Sequence, residues 1–350
     1  VITFKQYLEE ASNVQQKWAQ KPLTTKAAVA MIEKHCSDSL AAFLKGDGIF
    51  RGFGGSAKGD AMYIDSSGSF RTSKDSNNLY QLAHDASTHS MHIPSRSNSL
   101  ICTTDHGTAD SYAKGHAYAI FPYNGTPVGI SDDADFFGQS VNSVLLGSHS
   151  SVTEVTDYLT DIMTAFGLKK TKYDDIDVLD AKLAEIDTQR FAFFAAIKAS
   201  PIDYMEPSDI IVGVTDKGKN TLRGAIDLGR YNNIQYRSTD GDKKRAEIFA
   251  LVKSGDYAYT KKFATILKIA GALNSKKRFT EMSALLFTKS SPGGKVAMPG
   301  SPALRARDKE CWFSGECIAV SMGLGVLRQM RDELKAKGYK KLGTHLSIWD

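Results

Sequence analysis

Long apolar runs are missing from this 350-residue chain, and cysteine is scarce. No window approaches the roughly 18 to 20 uninterrupted apolar residues that a membrane-spanning helix needs. The opening VITFKQYLEEA has no apolar core of the signal-peptide kind. The expectation is a chain that neither crosses a membrane nor displays a secretion signal. Four cysteines, Cys36, Cys102, Cys311 and Cys317, are too few for a disulfide framework in so long a chain, which fits free thiols in a reducing compartment. Disorder and collagen are excluded because 42% of residues are hydrophobic and 24% charged. What is present is an ordinary globular composition, enough for one large domain or two smaller ones with cores of their own.

The formal charge of +5 is unevenly spread. Residues 240–310 hold fifteen Lys or Arg against seven acids, so this basic stretch could meet nucleic acid or an acidic partner, or could be the solvated faces of basic helices.

Apolar positions Phe4, Tyr7, Leu8, Ala11, Val14 and Trp18 fall at helical spacing, and Val29, Ile32, Leu40 and Phe43 repeat the pattern, so two helices are expected before the first strand. Gly-punctuated alternating runs, GDGIFRGFGG and AMYIDSSGSF, then read as strands and turns. A helix follows near Asn78–Ser87, then the loop IPSRSNS, a strand SLICTT, a helix over Thr108–Ala113, the strand HAYAIFP and the turn YNGT. Helical patterns occupy 151–199 and about 243–286, and the loop SSPGGKVAMPGSP is the best candidate linker. KECWF and ECIAVS read as strands around a Ser-Gly turn, before an amphipathic helix Leu324–Lys337 closed by Gly338. The economical organisation is an α+β protein in four parts: N-terminal helices at 1–45, a strand-rich half at 46–140, a mainly helical insertion at 141–298, and a return to the core at 299–350.

Three pieces together suggest chemistry. Arg51 ends the short strand IFRG, where a planar five-donor fork would suit a pyrophosphate or carboxylate, or would simply be a surface arginine. Cys102, Thr103 and Thr104 end SLICTT, where small polar groups can brace a neighbouring charge or serve as ordinary strand residues. Asp308 and Glu310 in DKECWF are two apart, which in an extended strand puts both carboxylates on one face as a general-base and cation-stabilising pair.

The order of these pieces resembles the R-S-E class of mono-ADP-ribosyltransferases. SLICTTDHGTADSYAKGHAYAIFPYNG looks like that family's central stretch, with Cys102–Thr104 at its Ser-Thr-Ser motif, and DKECWFSGECIAV resembles its E-x-E motif. The resemblance covers residues 46–140 and 300–325 and implies a split-sheet core with a helical N-terminal region and a large helical insertion. It implies NAD as the substrate that supplies ADP-ribose to a protein or nucleic-acid acceptor. Arg51 would then clamp the donor phosphates, Cys102, Thr103 and Thr104 would brace the pocket, and Tyr112 would stack on nicotinamide or be a core aromatic. Glu310 would stabilise the oxocarbenium-like centre and Asp308 would handle the nucleophile, its position usually being Glu in the arginine-modifying branch. Cys102 replaces the motif's first hydroxyl, and 206 residues separate Thr104 from Glu310, a gap that the insertion must fill. Should Glu310 not be the acid, Asp132, Asp133 and Asp135 are the next carboxylates, and Arg96 is a second arginine able to contact phosphate.

Two other classes stay open: a non-catalytic structural or interaction protein with a degenerate transferase fold, and a nucleic-acid binder using the basic stretch. TFKQYLEEA resembles the starts of tailed-phage proteins, so a phage virion stands beside the cytoplasm as a location. Other signals point nowhere specific. His84, His89 and His92 match no ligand spacing, Cys311 and Cys317 lack a partner pair, and GFGGSAKG lacks the Lys-Ser or Lys-Thr ending of a phosphate loop. Cys102 and His106 are too near in sequence to face each other as a protease dyad.

Overall fold

The computed structural model describes residues 19–53, 59–68, 79–113, 116–136, 140–143, 147–151, 279–287, 292–305 and 308–347, with 177, 180–181, 210–211, 258–259 and 289 besides. The expected helix over Phe4–Trp18 and most of the helical patterns in 151–278 lie outside these residues. The chain divides into two compact units, one of Val1–Asp157, Lys170–Leu179 and Phe279–Asp350, the other of Tyr158–Lys169 and Asp180–Arg278.

In the first unit, strand β1 (Ala19–Leu23) precedes helices α1 (Thr25–His35) and α2 (Ser37–Phe43), so an unexpected strand stands ahead of the second expected helix, which is itself broken in two at Cys36. Thr24 caps α1 by accepting the Ala27 N–H at 3.2 Å, and Ala28, Val29 and Ile32 form its buried stripe. Strands β2 (Ile49–Gly52) and β3 (Ala61–Asp65) follow, then α3 (Leu79–Ala86), β4 (Leu100–Thr103), α4 (His106–Ala113), β5 (Ala117–Pro122) and β6 (Val128–Ile130). β7 (Ser140–Ser143) and β8 (Gly147–Ser151) pair as a hairpin. In the second unit the described residues include an antiparallel pair of two-residue strands, β9 (Ile210–Ile211) and β10 (Ala258–Tyr259).

The chain re-enters the first unit with α5 (Phe279–Leu286), β11 (Lys295–Ala297), a 3-10 turn at Pro302–Arg305, β12 (Glu310–Phe313), β13 (Glu316–Ser321), α6 (Leu324–Ala336) and α7 (Thr344–Ser347). Residues 279–298, expected to close the insertion, thus belong with the core. The expected linker SSPGGKVAMPGSP carries sheet strand β11, because the positive φ of Gly293, 84°, lets the chain turn against the buried Phe287 and His84 rings.

Nine strands form one antiparallel sheet in the order β1-β3-β13-β5-β2-β4-β12-β6-β11. The architecture is α+β. The resemblance implies a split sheet, and the hydrogen-bonded order here is continuous, but its seam is thin. β2 meets β4 through the single pair Phe50–Thr103, whereas β2–β5 and β4–β12 share four pairs each. β13 is an interior, buried strand, with Ile318 and Val320 packed under α1 and α6 on one face and Cys317 and Ala319 on the other. Each such aliphatic side chain stabilises the fold by about 1.5–3 kcal/mol.

Candidate functional site

Register decides which motif residues share a face. Residues directly opposite in an antiparallel ladder point the same way. Phe50 lies opposite Thr103 and Thr103 opposite Glu310, so the Thr103 and Glu310 side chains stand side by side on the helix-bearing face. Arg51 is one residue further along and opposite Tyr118, so it projects to the other face with Cys102. Gly52 returns to the helical side, where a Cβ would collide with the Ala109 carbonyl and Ala113 of α4. The structure therefore brings Thr103 and Glu310 together and sends Arg51 elsewhere, which corrects its expected place in a shared cleft. Arg51 is buried, its Nη1 donates to the Ile101 carbonyl across the seam, and its guanidinium lies 5.3 Å from the centre of the Phe53 ring. Cys102 lies buried beside it, and desolvation pushes its thiol up to about 12 against the lowering pull of Arg51, so it stays protonated at neutral pH.

Asp308 corrects a second expectation. It precedes β12 with φ 54°, in the left-handed region, so the alternation that would align it with Glu310 does not reach it. Its exposed carboxylate accepts the Thr108 hydroxyl at 3.0 Å, at the start of α4. Thr104 ties the same corner: the Thr104 N–H donates to the Lys309 carbonyl and the Lys309 N–H to Thr104 Oγ1, both at 2.9 Å. Tyr112, on the last turn of α4, is half-buried near Asp135, Glu310 and Asp308. Burial and these three carboxylates hold its phenol well above the ordinary range, so it is neutral at ordinary pH.

Glu310 itself is 0% exposed, as is Arg96. Arg96 Nη1 pairs with Glu310 Oε1, and the Phe136 N–H donates to Oε2 at 2.9 Å. The guanidinium lies in the corner between two near-perpendicular aromatic rings, 4.0 Å from the centre of Phe136 and 4.8 Å from that of Trp312. The Trp312 indole lies across Gly129, where any Cβ would strike it, and donates from Nε1 to the Pro94 carbonyl at 2.7 Å. His84 meets Phe136, Phe287 and Trp312 edge to face. The segment Ser131–Phe136 laces over Glu310, with Ser131 N–H to the Glu310 carbonyl at 2.9 Å, while Lys295 Nζ donates to Asp132 Oδ1 at 2.6 Å.

Sequence reasoning named Arg96 as a phosphate contact, and it is instead the counter-ion of Glu310, 214 residues away along the chain. It missed Asp85, Phe136 and Trp312 altogether. The loop SRS carried a faint signal, since serines and backbone N–H groups in such a loop commonly turn around a carboxylate. Among the described residues no group of three or more His, Cys, Asp or Glu could hold a metal ion, and no helix is long and apolar enough to cross a membrane. Comparison with known protein families, curated proteins and solved structures finds no match for this chain.

Proposed function

We propose that this chain is an NAD-dependent mono-ADP-ribosyltransferase acting on a protein or nucleic-acid acceptor. The observation that carries the reading is the adjacency of β2, β4 and β12, which bring IFRG, CTT and KECWF from across the sequence into neighbouring strands with Thr103 directly opposite Glu310. A sheet seamed by one residue pair between β2 and β4 also agrees with the two-part core that the family resemblance implies. Arg51 serves here as the brace of that seam. Glu310 is the carboxylate that favours the cationic ribosyl centre and accepts the ribose 2′-hydroxyl, once Ser131–Phe136 parts from it. Asp308 and Tyr112 line the approach, the first placed for the nucleophile and the second for nicotinamide. The basic stretch 240–310 recruits the acceptor.

Labelled ADP-ribose transfer from NAD into macromolecules of a cell lysate tests this, with Glu310→Gln as control and circular dichroism confirming both folds. Label incorporated by the wild type and lost in the variant supports transfer. A folded wild type that neither binds NAD nor transfers label overturns it. The complete burial of Glu310 against Arg96 favours a second reading, a non-catalytic interaction protein on the same framework. In that case replacing the pair by apolar residues leaves every function of the chain intact.

A further inference from the structure

Resting on the transferase reading, we infer that Arg96 is the positioning residue of Glu310 and that the Asp85 carboxylate sets Arg96. Asp85, at the end of α3, gathers four bonds. Its Oδ1 accepts the Arg96 N–H at 2.8 Å and His84 Nδ1 at 3.2 Å, and its Oδ2 accepts Ser95 Oγ at 2.7 Å and the Ser97 N–H at 3.0 Å. The Ser99 hydroxyl closes the same loop on the Ser95 carbonyl at 2.5 Å. The backbone on both sides of Arg96 is therefore fixed by a single anion.

From that anchor the Arg96 side chain runs, fully buried, to the corner between the near-perpendicular Phe136 and Trp312 rings. It reaches Glu310 at Oε1 and not at Oε2, whose partner is the Phe136 N–H. The two carboxylate oxygens thus have different supports. Oε1 is tied through Arg96 to α3, whereas Oε2 is tied to a segment whose Asp132 and Asp133 are exposed. Oε2 is the oxygen that a ribose hydroxyl takes when the Phe136 amide gives way, and Oε1 keeps the carboxylate from turning as it does so. A carboxylate held in this manner needs no reorganisation when positive charge develops beside it.

The test uses the full chain as wild type, Asp85→Asn and Arg96→Lys. Two quantities are measured: amide hydrogen exchange at Phe136, and kcat and KM for nicotinamide release from NAD. Asn keeps one acceptor of Asp85 and loses the other; Lys keeps the charge of Arg96 without the planar fork. Expected in both variants is Phe136 exchange faster by about tenfold, with exchange at Ile318 and Val320 unchanged as the sign of an intact fold. Expected too is a fall in kcat approaching about a hundredfold with KM little altered, as for a misplaced catalytic group. Unchanged Phe136 exchange in a folded variant overturns the inference, as does a raised KM with kcat preserved. A wild type that releases no nicotinamide while Phe136 still responds overturns the transferase reading, and with it the catalytic duty assigned to the clamp. Should Asp85→Asn fail to fold, Ser95→Ala removes one of the four bonds; faster Phe136 exchange in it supports the relay, and none overturns it.

Discussion

Arg96 and Glu310 neutralise each other where water does not reach, and the aromatic rings around them supply the dispersion that a solvated pair would lack. Removing one member leaves the other charged and buried. Glu310→Ala is expected to lower unfolding free energy by about 3–5 kcal/mol, and the double change Arg96→Met with Glu310→Leu to restore most of it, read from urea midpoints. Gly129→Ala forces a methyl into the Trp312 ring and is expected to cost about 1–3 kcal/mol in the same assay. His84 gives a pH signature. Burial pushes its pKa down, outweighing the opposite pull of Asp85, so the folded state keeps it neutral. In the unfolded chain it takes a proton near pH 6.5, so stability falls as pH drops below about 6.5. Burial alone would raise the Asp85 carboxyl, but the bonds from His84, Ser95 and Ser97 outweigh that and hold it low. Its contribution is present above the ordinary carboxylate range and lost as pH falls through it. Urea midpoints between pH 7.5 and 5 should therefore decline for the wild type and decline less for His84→Phe. The half-buried His345, also shifted down by its burial, keeps part of the slope.

At the scale of elements, local patterns were readable where apolar residues concentrate between turn residues or fall at helical spacing. The short apolar runs in IFRG, LICT and ECIAVS, bounded by turn residues, the stripe of Leu324–Ala336 and the glycine at 338 each correspond to elements in the structure. β1 escaped notice because AQKPL is nearly all exposed and has no alternation to read. β11 escaped because its three residues sit among glycines and a proline that signal a loop. The same-face argument for Asp308 and Glu310 failed at one dihedral angle, the positive φ of Asp308, which spacing cannot reveal. The Arg96–Glu310 pair was out of reach for another reason: its partners lie on elements joined only by the tertiary fold.

For the molecule as a whole, the four cysteines behave as core hydrophobes. All are buried as free thiols, and burial raises each pKa, that of Cys36 to about 12. Native protein is expected to react negligibly with a disulfide reagent at pH 8 and unfolded protein to react at all four; rapid native labelling would contradict this packing. The central claim, that Glu310 on β12, beside Thr103 of β4, is the centre for NAD cleavage, meets its most direct test in nicotinamide release by the purified chain, which needs no acceptor. Expected is release by the wild type, reduced about a hundredfold or more in folded Glu310→Gln, as when a charge-stabilising group is removed. Equal release by both proteins, or none from a folded wild type at saturating NAD, would contradict it.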